Sequence, residues 1–371
     1  LTGAGVLRIR GMRCFMTPAR AVALSLLLLL GLAAPADAQP IRKRPALGDA
    51  ETRAQRVLEL LGPEHVLREA WRTTKRYMFD RSIEDEEWAL LLEAYLPKAR
   101  LAKTPDEIHG VVNAMFSELK VSHLALLKNS VWERELALEF RNKKTVRGGF
   151  ELVLIDGRYH VDGIAEGGPA DAAGLLAGDE VLSLNGVAPA ESVLLEDAGH
   201  DPGLPGHKGF VLGVKDETPV ALRVRRKAGG EAFGVELKPF PMTLTGSCKT
   251  SVRVETVGTT DVGVVHLWHF MQMDIFRLLR RAMQGPLKDT DVLILDLRGR
   301  GGSARVVSAI LGLFSGRRAI WKKPVLCLTD SGTRSAKEIF AWHWKDRKLG
   351  PVVGETTQGA CIGCQFRQLS D

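Results

Sequence analysis

The chain has 371 residues, a hydrophobic content of 45% and a charged content of 26%, which is the composition of an ordinary globular protein of two or three domains. Its net charge of +7 is modest, and its two densest basic clusters, Arg42–Arg44 and Arg223–Lys227, contain no aromatic residues. Basic surfaces without aromatic side chains do not predict a nucleic-acid site, so nucleic acid is not an expected partner.

The N-terminus has the pattern of an export signal. Met16 and Arg20 precede an apolar run over residues 21–34, and Ala36–Ala38 gives the small-x-small pattern of a cleavage site. The run is short for a membrane span, although an uncleaved anchor is the alternative. The sequence therefore predicts that residues 1–38, upstream sequence plus a signal peptide at about Met16–Ala38, are removed. The mature protein is then periplasmic or secreted, with no stable membrane span.

A basic, proline-containing linker over residues 39–50 leads into a helical segment, residues 51–125. Thr104-Pro105 opens its clearest helix, because Thr is a favoured N-cap and Pro is favoured at the first helical position. One apolar face follows at helical spacing: Ile108, Val111, Val112, Met115, Phe116 and Leu119. The helix ends before Val121–His123. Taken alone, His123 is best explained as a structural histidine.

Residues 146–242 change to a pattern of strands and glycines. Phe150–Ile155 and the strand after it are joined by Asp156-Gly157, a hairpin signal. The stretches Gly167–Leu175 and Gly178–Gly186 then resemble the PDZ family nearly position by position.

The PDZ resemblance implies a domain that binds a substrate's C-terminus by strand addition, with the carboxylate in a backbone loop. That loop falls on four residues: Arg147, Gly148, Gly149 and Phe150. A PDZ fold that serves only as a spacer is the alternative.

From residue 250 onward, strands and helices alternate, which predicts an α/β domain. Asp291–Leu297 is a near-continuous apolar run, as in a buried parallel strand. The glycine-rich stretch Arg298–Gly302 follows at the strand's C-terminal end, where such sheets place their ligands. It does not match a nucleotide-binding P-loop. Asp296 and Arg298 are interpreted as structural ion partners.

The strongest candidate site is the stretch Asp330–Phe340. A buried strand is predicted over residues 324–328, and a helix over residues 336–348. Ser335 therefore lies where a strand turns into a helix, beside N–H groups that have no partner inside the helix. Its hydroxyl could attack a carbonyl while those groups stabilise the oxyanion. The alternative is a helix cap, because Ser335 and Glu338 also fit a capping box.

The order of these features resembles the carboxyl-terminal-processing (tail-specific) serine peptidase family, over about residues 51–371. The resemblance implies a multidomain α+β protein: a helical N-terminal segment, a PDZ-like β domain and an α/β (ClpP/crotonase-like) catalytic domain over residues 250–371. It implies Ser335 as the nucleophile, with oxyanion donors at the Ala336 N–H and at Gly301 or Gly302. Where the family often has Asn, this chain has Arg300.

The resemblance also bears on the general base. In the tail-specific branch a lysine follows the Gly-Glu-x-Thr-x-Gly run, and that position is Ala360 here. The tricorn-core and retinoid-binding-protein-like branch instead uses a histidine at the end of the helical segment, which Val121–His123 matches. The resemblance to that branch implies His123 as the base. The branch's triad acid lies further toward the C-terminus, so the family pattern implies that the catalytic domain is incomplete at Asp371.

Four cysteines lie beyond the predicted signal, and Cys361 and Cys364 have the spacing of a redox motif. They are expected to be ordinary residues of an extended strand, on opposite faces and too far apart for a disulfide.

The predicted function is that of an exported serine-type endopeptidase acting on unfolded or C-terminally recognised protein substrates, with no cofactor and no metal. The alternative is a catalytically inactive, peptidase-like protein that binds peptides or other ligands. Substrate, cleavage preference and oligomeric state are not predicted.

Overall fold

The structure is a computed structural model that describes residues 61–128, 140–197, 209–317 and 319–369. The predicted signal peptide at Met16–Ala38, the linker over residues 39–50 and Asp371 lie outside these residues. Among the described residues, no helix is both long enough and apolar enough to cross a bilayer.

The described part of the N-terminal segment contains three helices: α1 (Pro63–Tyr77), α2 (Asp85–Leu101) and α3 (Pro105–Glu118). The predicted cap of α3 is present, because the Thr104 hydroxyl accepts a hydrogen bond from the Glu107 N–H at 3.2 Å. The apolar faces of the helices bury a core that includes Leu67, Trp88, Val112 and Met115. Burial of these faces, rather than intrinsic propensity, holds the helices together.

A β domain follows, in which seven strands form one sheet. The strands are β2 (Phe150–Ile155), β3 (Arg158–Ile164), β4 (Glu180–Leu184), β5 (Leu195–Asp197), β6 (Gly209–Leu212), β7 (Val220–Arg225) and β8 (Ala232–Leu237). Their order is β5-β6-β2-β3-β4-β7-β8, with every pairing antiparallel. The short helix α4 (Pro169–Ala172) follows β3. Asp156 and Gly157 form the predicted hairpin turn, with φ of 48° and 75°.

A two-stranded ribbon connects the β domain to the rest of the chain. It pairs β1 (Thr145–Arg147) with β9 (Phe240–Met242). In the sequence, β1 precedes all strands of the seven-stranded sheet and β9 follows them. Helix α5 (Leu244–Thr250) comes next, and the Thr243 hydroxyl caps it by accepting from the Gly246 N–H.

The α/β domain has a five-stranded sheet in the order β10-β11-β12-β13-β14. Its strands are β10 (Arg253–Val257), β11 (Thr260–His266), β12 (Val292–Asp296), β13 (Val325–Thr329) and β14 (Val352–Gly354). The pairs from β11 to β14 are parallel, and β10 is an antiparallel edge strand. Helices α6 (Met273–Gln284), α7 (Ala304–Phe314) and α8 (Ala336–Asp346) connect successive parallel strands from β11 to β14. Parallel strands end at one edge of a sheet, so the loops after β12 and β13 meet there.

The structure corrects one sequence-based expectation in this domain. Cys361 and Cys364 were expected in an extended strand, but residues 355–369 contain no regular secondary structure. Neither of these two described cysteines forms a disulfide, as expected. Burial, reinforced by Glu338 beside it, raises the pKa of the Cys361 thiol to about 12, so this thiol is not a ready nucleophile.

Candidate active site

Ser335 lies at the turn between β13 and α8, in a backbone conformation that L-residues rarely adopt. Its φ is 57° and its ψ is −123°. Such a conformation is unfavourable for a residue with a Cβ and is maintained only when the surrounding structure enforces it. The Ser335 N–H donates to the Glu338 carboxylate at 2.8 Å, and the Glu338 N–H donates to the Ser335 carbonyl at 2.9 Å. The first turn of α8 therefore fixes this residue.

Hydrogen bonds from both sides stabilise the turn. The fully buried Thr333 hydroxyl lies 2.8 Å from Asp330 Oδ1 and 3.3 Å from the Leu297 carbonyl oxygen. The Gln358 N–H donates to the Thr333 carbonyl, and the Gly359 N–H donates to Glu338 at 2.6 Å. The segment after β14 thus holds the turn in place through two backbone groups.

The glycine loop, Arg298–Gly302, packs directly against Ser335. A Cβ added to Gly301 would lie 2.6 Å from Ser335 Cβ and 3.2 Å from its hydroxyl oxygen. One added to Gly302 would lie 2.1 Å from the carbonyl carbon of Phe270. Both positions therefore require glycine, for close approach rather than for flexibility.

In the part of the chain that the structure describes, three backbone N–H groups near Ser335 have no acceptor. The loop is held by bonds from the Phe270 N–H to the Gly301 carbonyl and from the Ser303 N–H to the Phe270 carbonyl. Within the described residues, the N–H groups of Gly301, Gly302 and Ala336 donate to no oxygen. Unpaired N–H groups of this kind are the donors that an oxyanion hole needs.

A carboxylate of the β domain contacts the glycine loop. Glu151 Oε1 on β2 lies 2.6 Å from Arg300 Nη2, and the Arg300 side chain is 16% exposed. Burial alone would raise the pKa of Glu151, but the guanidinium groups of Arg300, Arg147 and Arg334 outweigh burial and lower it. These cations therefore favour the charged form of Glu151. Arg300 replaces the family's usual Asn, and its partner lies on another domain.

A second carboxylate of the β domain, Glu166, contacts the end of β11. Its two oxygens lie 2.8 Å from His266 Nδ1 and 2.5 Å from Trp268 Nε1. His266 Nε2 lies 3.1 Å from the Arg298 carbonyl oxygen. Both ring nitrogens of His266 face acceptors, so both bonds form only when both nitrogens carry a proton.

The expectation that Asp296 and Arg298 are structural ion partners is confirmed. Three guanidinium–carboxylate hydrogen bonds of 2.6 to 3.1 Å join them. The pair fixes the start of the glycine loop at the end of β12.

His123 lies in the turn that follows α3, with a φ of 61°. Its Nδ1 is 3.3 Å from the Ser122 hydroxyl. Leu124 beside it packs in the same apolar cluster as Leu369. Leu369 is ten residues beyond Gly359, which binds Glu338. The segment after β14 thus contacts the Ser335 turn at Gly359 and reaches the apolar cluster beside His123 at Leu369. The role of His123 as the base stays a prediction.

The predicted carboxylate loop, Arg147–Phe150, lines a cleft between the β domain and the α/β domain. The cleft's other walls include Val211, Leu212, Met242, Leu244, Trp268 and Arg300. Gly148 and Gly149 are tightly packed, since a Cβ would lie 2.9 Å from Leu212 and 2.7 Å from Pro169 respectively. Arg147, Arg300 and Glu151 bring charges of both signs to this cleft.

Strand β2, which follows the predicted carboxylate loop, is paired within the chain along both edges. One edge of β2 pairs with β3, and the other pairs with β6, with Glu151 opposite Val211 and Val153 opposite Gly209. Both edges of β2 are therefore occupied by the chain itself over these residues. A peptide could add to β2 as a strand only if β6 left.

Lys337 is a feature that the sequence analysis missed. This residue is fully buried in the first turn of α8, and its Nζ donates to the Arg298 carbonyl at 2.9 Å. The available signal was a lysine among apolar residues, between Ala336 and Ile339-Phe340, on the face of the helix that meets the sheet.

Comparison with known proteins gives concordant matches. Residues 314–371 match the model of Peptidase family S41. The chain is 26% identical over 339 residues to a chloroplastic C-terminal processing peptidase of Tetradesmus obliquus, across 82% of this chain and 69% of that protein. It is 23% identical over 347 residues to a carboxyl-terminal-processing protease of a Picosynechococcus species, across 85% of this chain and 78% of that protein.

Among solved structures, the fold is similar to that of a photosystem II D1 C-terminal processing protease. The TM-score is 0.49 at 19% identity, covering 80% of this chain and 81% of that one.

The sequence matches define a serine-type peptidase, a hydrolase of peptide bonds. Residues 314–371 match peptidase family S41, and the chain is related in sequence to carboxyl-terminal-processing proteases. The family and enzyme class predicted from the sequence are therefore confirmed.

Proposed function

We propose that the chain is an exported serine endopeptidase in which Ser335 attacks the scissile carbonyl carbon. The observation that carries this proposal is the left-handed backbone of Ser335 against Gly301, beside three N–H groups without acceptors. A strained turn that presents a hydroxyl between a strand and a helix is the geometry of a nucleophile.

In the proposed reaction, a base removes the hydroxyl proton as Ser335 Oγ bonds to the carbonyl carbon. The carbonyl oxygen becomes an oxyanion, which the N–H groups of Ala336 and of Gly301 or Gly302 stabilise. The base then donates its proton to the leaving amine, and an acyl-enzyme remains. Water, activated by the same base, attacks the ester and releases the second product.

His123 is the proposed base. A neutral imidazole is suited to accept a proton near neutral pH. The proposal is supported by the apolar cluster that joins the turn of His123 to Leu369, in the segment that leaves the Ser335 turn. The positive φ of His123 is consistent with a functional constraint on this residue.

The loop Arg147–Phe150 is proposed to bind the C-terminus of a protein substrate in the cleft that it lines. Support comes from the guanidinium groups of Arg147, Arg300 and Arg334, which together lower the pKa of Glu151 beside this loop. A substrate carboxylate in the cleft would be attracted by the same cations. In this arrangement the terminus enters between the domains, and β6 stays paired with β2.

The proposed domain layout keeps the predicted boundaries. A signal peptide at about Met16–Ala38 directs export, the helical segment and the PDZ-like domain precede the peptidase domain, and unfolded proteins are the substrates. The relation to carboxyl-terminal-processing proteases supports a protein substrate.

Labelling with a fluorophosphonate probe tests the nucleophile. The wild type should be labelled on the peptide that contains Ser335 and should cleave an unfolded protein such as casein. Ser335→Ala should lose both properties, whereas Ser331→Ala, a control on the same turn, should keep both. Labelling elsewhere, or full turnover by Ser335→Ala, would refute the assignment.

A further inference from the structure

Lys337 is placed to link the two halves of the proposed oxyanion site. It is the second residue of α8, and Ser335 immediately precedes that helix. Its Nζ donates at 2.9 Å to the carbonyl of Arg298, the first residue of the glycine loop. One side chain therefore joins the segment that carries the nucleophile to the loop that carries two of the N–H donors.

The linkage acts over a short distance. Between Arg298 and Gly301, the loop is fixed to the β11 side of the sheet by the bond from the Arg300 N–H to the Trp268 carbonyl. The Arg298 carbonyl, in contrast, is held by side chains: Lys337 Nζ and, at 3.1 Å, His266 Nε2. Loss of the lysine would leave His266 as the side chain that contacts the Arg298 carbonyl, while the Asp296–Arg298 pair would still hold the Arg298 side chain.

The surroundings of Lys337 are unusual for a cation. The side chain is fully buried, and within the described residues Nζ has one oxygen acceptor, with the Phe270 ring centroid 5.9 Å away. Burial lowers the pKa of Lys337 to about 7. A lysine with such a pKa changes its charge within the working range of a peptidase.

The groups that face this lysine come from every element around it. Three carboxylates favour the charged form: Asp296 on β12, Asp330 after β13 and Glu151 on β2. Cys248 on α5 also faces the lysine, but burial raises the pKa of this thiol to about 12, so it is neutral near pH 7. His269, after β11, is held neutral by burial and by the charges of Lys337, Arg300 and Arg147, and its pKa is lowered to about 3. Arg298 is engaged with Asp296, and His266 shares the Arg298 carbonyl.

We infer that Lys337 is a positioning residue of the peptidase, which holds the glycine loop against Ser335 and supplies positive charge behind the oxyanion site. This inference rests on the proposed function of Ser335. The protonated form is the active one, because an ammonium group is both a stronger donor to the Arg298 carbonyl and a cation close to the developing negative charge.

The inference predicts a specific pH profile. The pKa of Lys337 is lowered but stays near neutrality, so the ammonium form dominates below about pH 7 and is lost above it. The kcat of the wild type should therefore decline as the pH rises through neutrality. The rise in kcat on the acid side reflects deprotonation of the base, so it should be unaffected by changes at Lys337.

The test compares Lys337→Met, which keeps the apolar stem, with Lys337→Gln, which keeps an N–H donor that does not titrate. We expect kcat to fall about 10- to 100-fold in Lys337→Met, less than the loss of a direct oxyanion donor, with little change in KM. Lys337→Gln should be intermediate, and neither variant should show the alkaline decline. Lys345→Met, an exposed lysine at the end of the same helix, is the matched control and should behave as the wild type.

The outcomes separate the two proposals. If the wild type neither cleaves nor labels at Ser335, the proposed function fails. If the wild type is active and Lys337→Met has the same kcat and the same alkaline decline, the inference about Lys337 fails alone. If Lys337→Met does not fold, the pH profile of Lys337→Gln tests the inference instead. Persistence of the alkaline decline of kcat in Lys337→Gln contradicts it.

Discussion

Glu151 of the β domain and Arg300 of the glycine loop form an ion pair across two domains, with 2.6 Å between Glu151 Oε1 and Arg300 Nη2. Glu151 directly follows Phe150, the last residue of the proposed terminus-binding loop. Arg300 directly precedes Gly301, which packs against Ser335. The Glu151–Arg300 ion pair is therefore adjacent in sequence both to the proposed terminus-binding loop and to the glycine that packs against Ser335.

Removing the carboxylate should weaken both fold and activity. Glu151→Gln would remove the carboxylate that pairs with the mostly buried Arg300, and we expect the free energy of unfolding to fall by about 1–2 kcal/mol. This expected loss is small for a charged hydrogen bond because 31% of the Glu151 side chain is exposed, so solvent screens the ion pair. A lower kcat should accompany it, since the glycine loop is less well held. Denaturant unfolding and initial rates measure the two effects.

The stabilising contribution of Glu151 also has a definite pH dependence. Its pKa is lower in the folded state than in the unfolded chain, so the contribution is present above the unfolded pKa and is lost as the pH falls through the folded one. The difference in stability between wild type and Glu151→Gln should therefore shrink in acid. Glu236→Gln, an exposed carboxylate paired with Lys238, is the control and should show almost no difference. Equal stability of Glu151→Gln and the wild type at neutral pH would contradict the argument.

Gly301→Ala should inactivate the peptidase with a moderate loss of stability. The new Cβ would meet Ser335 Cβ at 2.6 Å and the Arg334 carbonyl oxygen at 2.9 Å, so the loop or the nucleophile must move. A displacement of about 1 Å at a reacting group costs roughly 100-fold in rate. We therefore expect kcat/KM to fall by about 100-fold or more.

Gly312→Ala provides the matched control. Gly312 lies inside α7, and no atom within 4 Å would contact an added Cβ. This variant should keep its activity and gain about 0.5–1 kcal/mol of stability, because alanine is the better helix former. Wild-type kcat/KM in Gly301→Ala would show that the close approach of the loop is not needed.

His123→Ala should lower the rate by a factor of roughly 10² to 10⁴ if His123 is the base. A base acts only when it is unprotonated, so the kcat/KM of the wild type should rise with pH on the acid side. That rise should disappear in the variant. His65→Ala on α1 serves as the control for removing a histidine from the helical segment. An unchanged acid limb in His123→Ala would assign the base to another residue.

Much of the fold could be predicted from the sequence, because its signals are local. The cap at Thr104-Pro105, the turn Asp156-Gly157 and the apolar run before Arg298 each fix a helix start, a hairpin or a buried strand. The strand-to-helix turn at Ser335 was predicted in the same way. Strand β10, an exposed edge strand without an apolar face, was not predicted because it lacks such a pattern.

The contacts between domains could not be predicted, since they join residues far apart in the chain. Glu151 meets Arg300 across 149 positions, and Glu166 meets His266 across 100. The pairing of β6 with β2 was missed for the same reason: a motif match identifies loops and turns but does not reveal which strand covers a sheet edge. Lys337 was overlooked because a lysine is almost always a surface residue.

The pairing of β6 with β2 leads to a prediction about how a substrate terminus binds. If a terminus enters the cleft between the domains, β6 does not have to move. If it adds to β2 as a strand, β6 must leave. A disulfide between the two strands distinguishes these modes, because it prevents separation without filling the cleft. Val153 and Gly209 are suitable positions, since they are register partners across the two strands.

Directly opposed residues on antiparallel strands have Cα atoms about 4.5–5.5 Å apart, which a disulfide can bridge. We expect Val153→Cys/Gly209→Cys, in a background with Cys361→Ser and Cys364→Ser, to bind a peptide with a free C-terminus equally well when oxidised and reduced. The peptide's carboxamide form should bind more weakly in both states, because the cations at Arg147 and Arg300 select a carboxylate. Fluorescence titration of the same variant before and after reduction makes the comparison internally controlled. Loss of binding on oxidation alone would show that termini add to β2 and displace β6. Equal affinity for carboxylate and carboxamide would show that the cleft does not recognise chain ends.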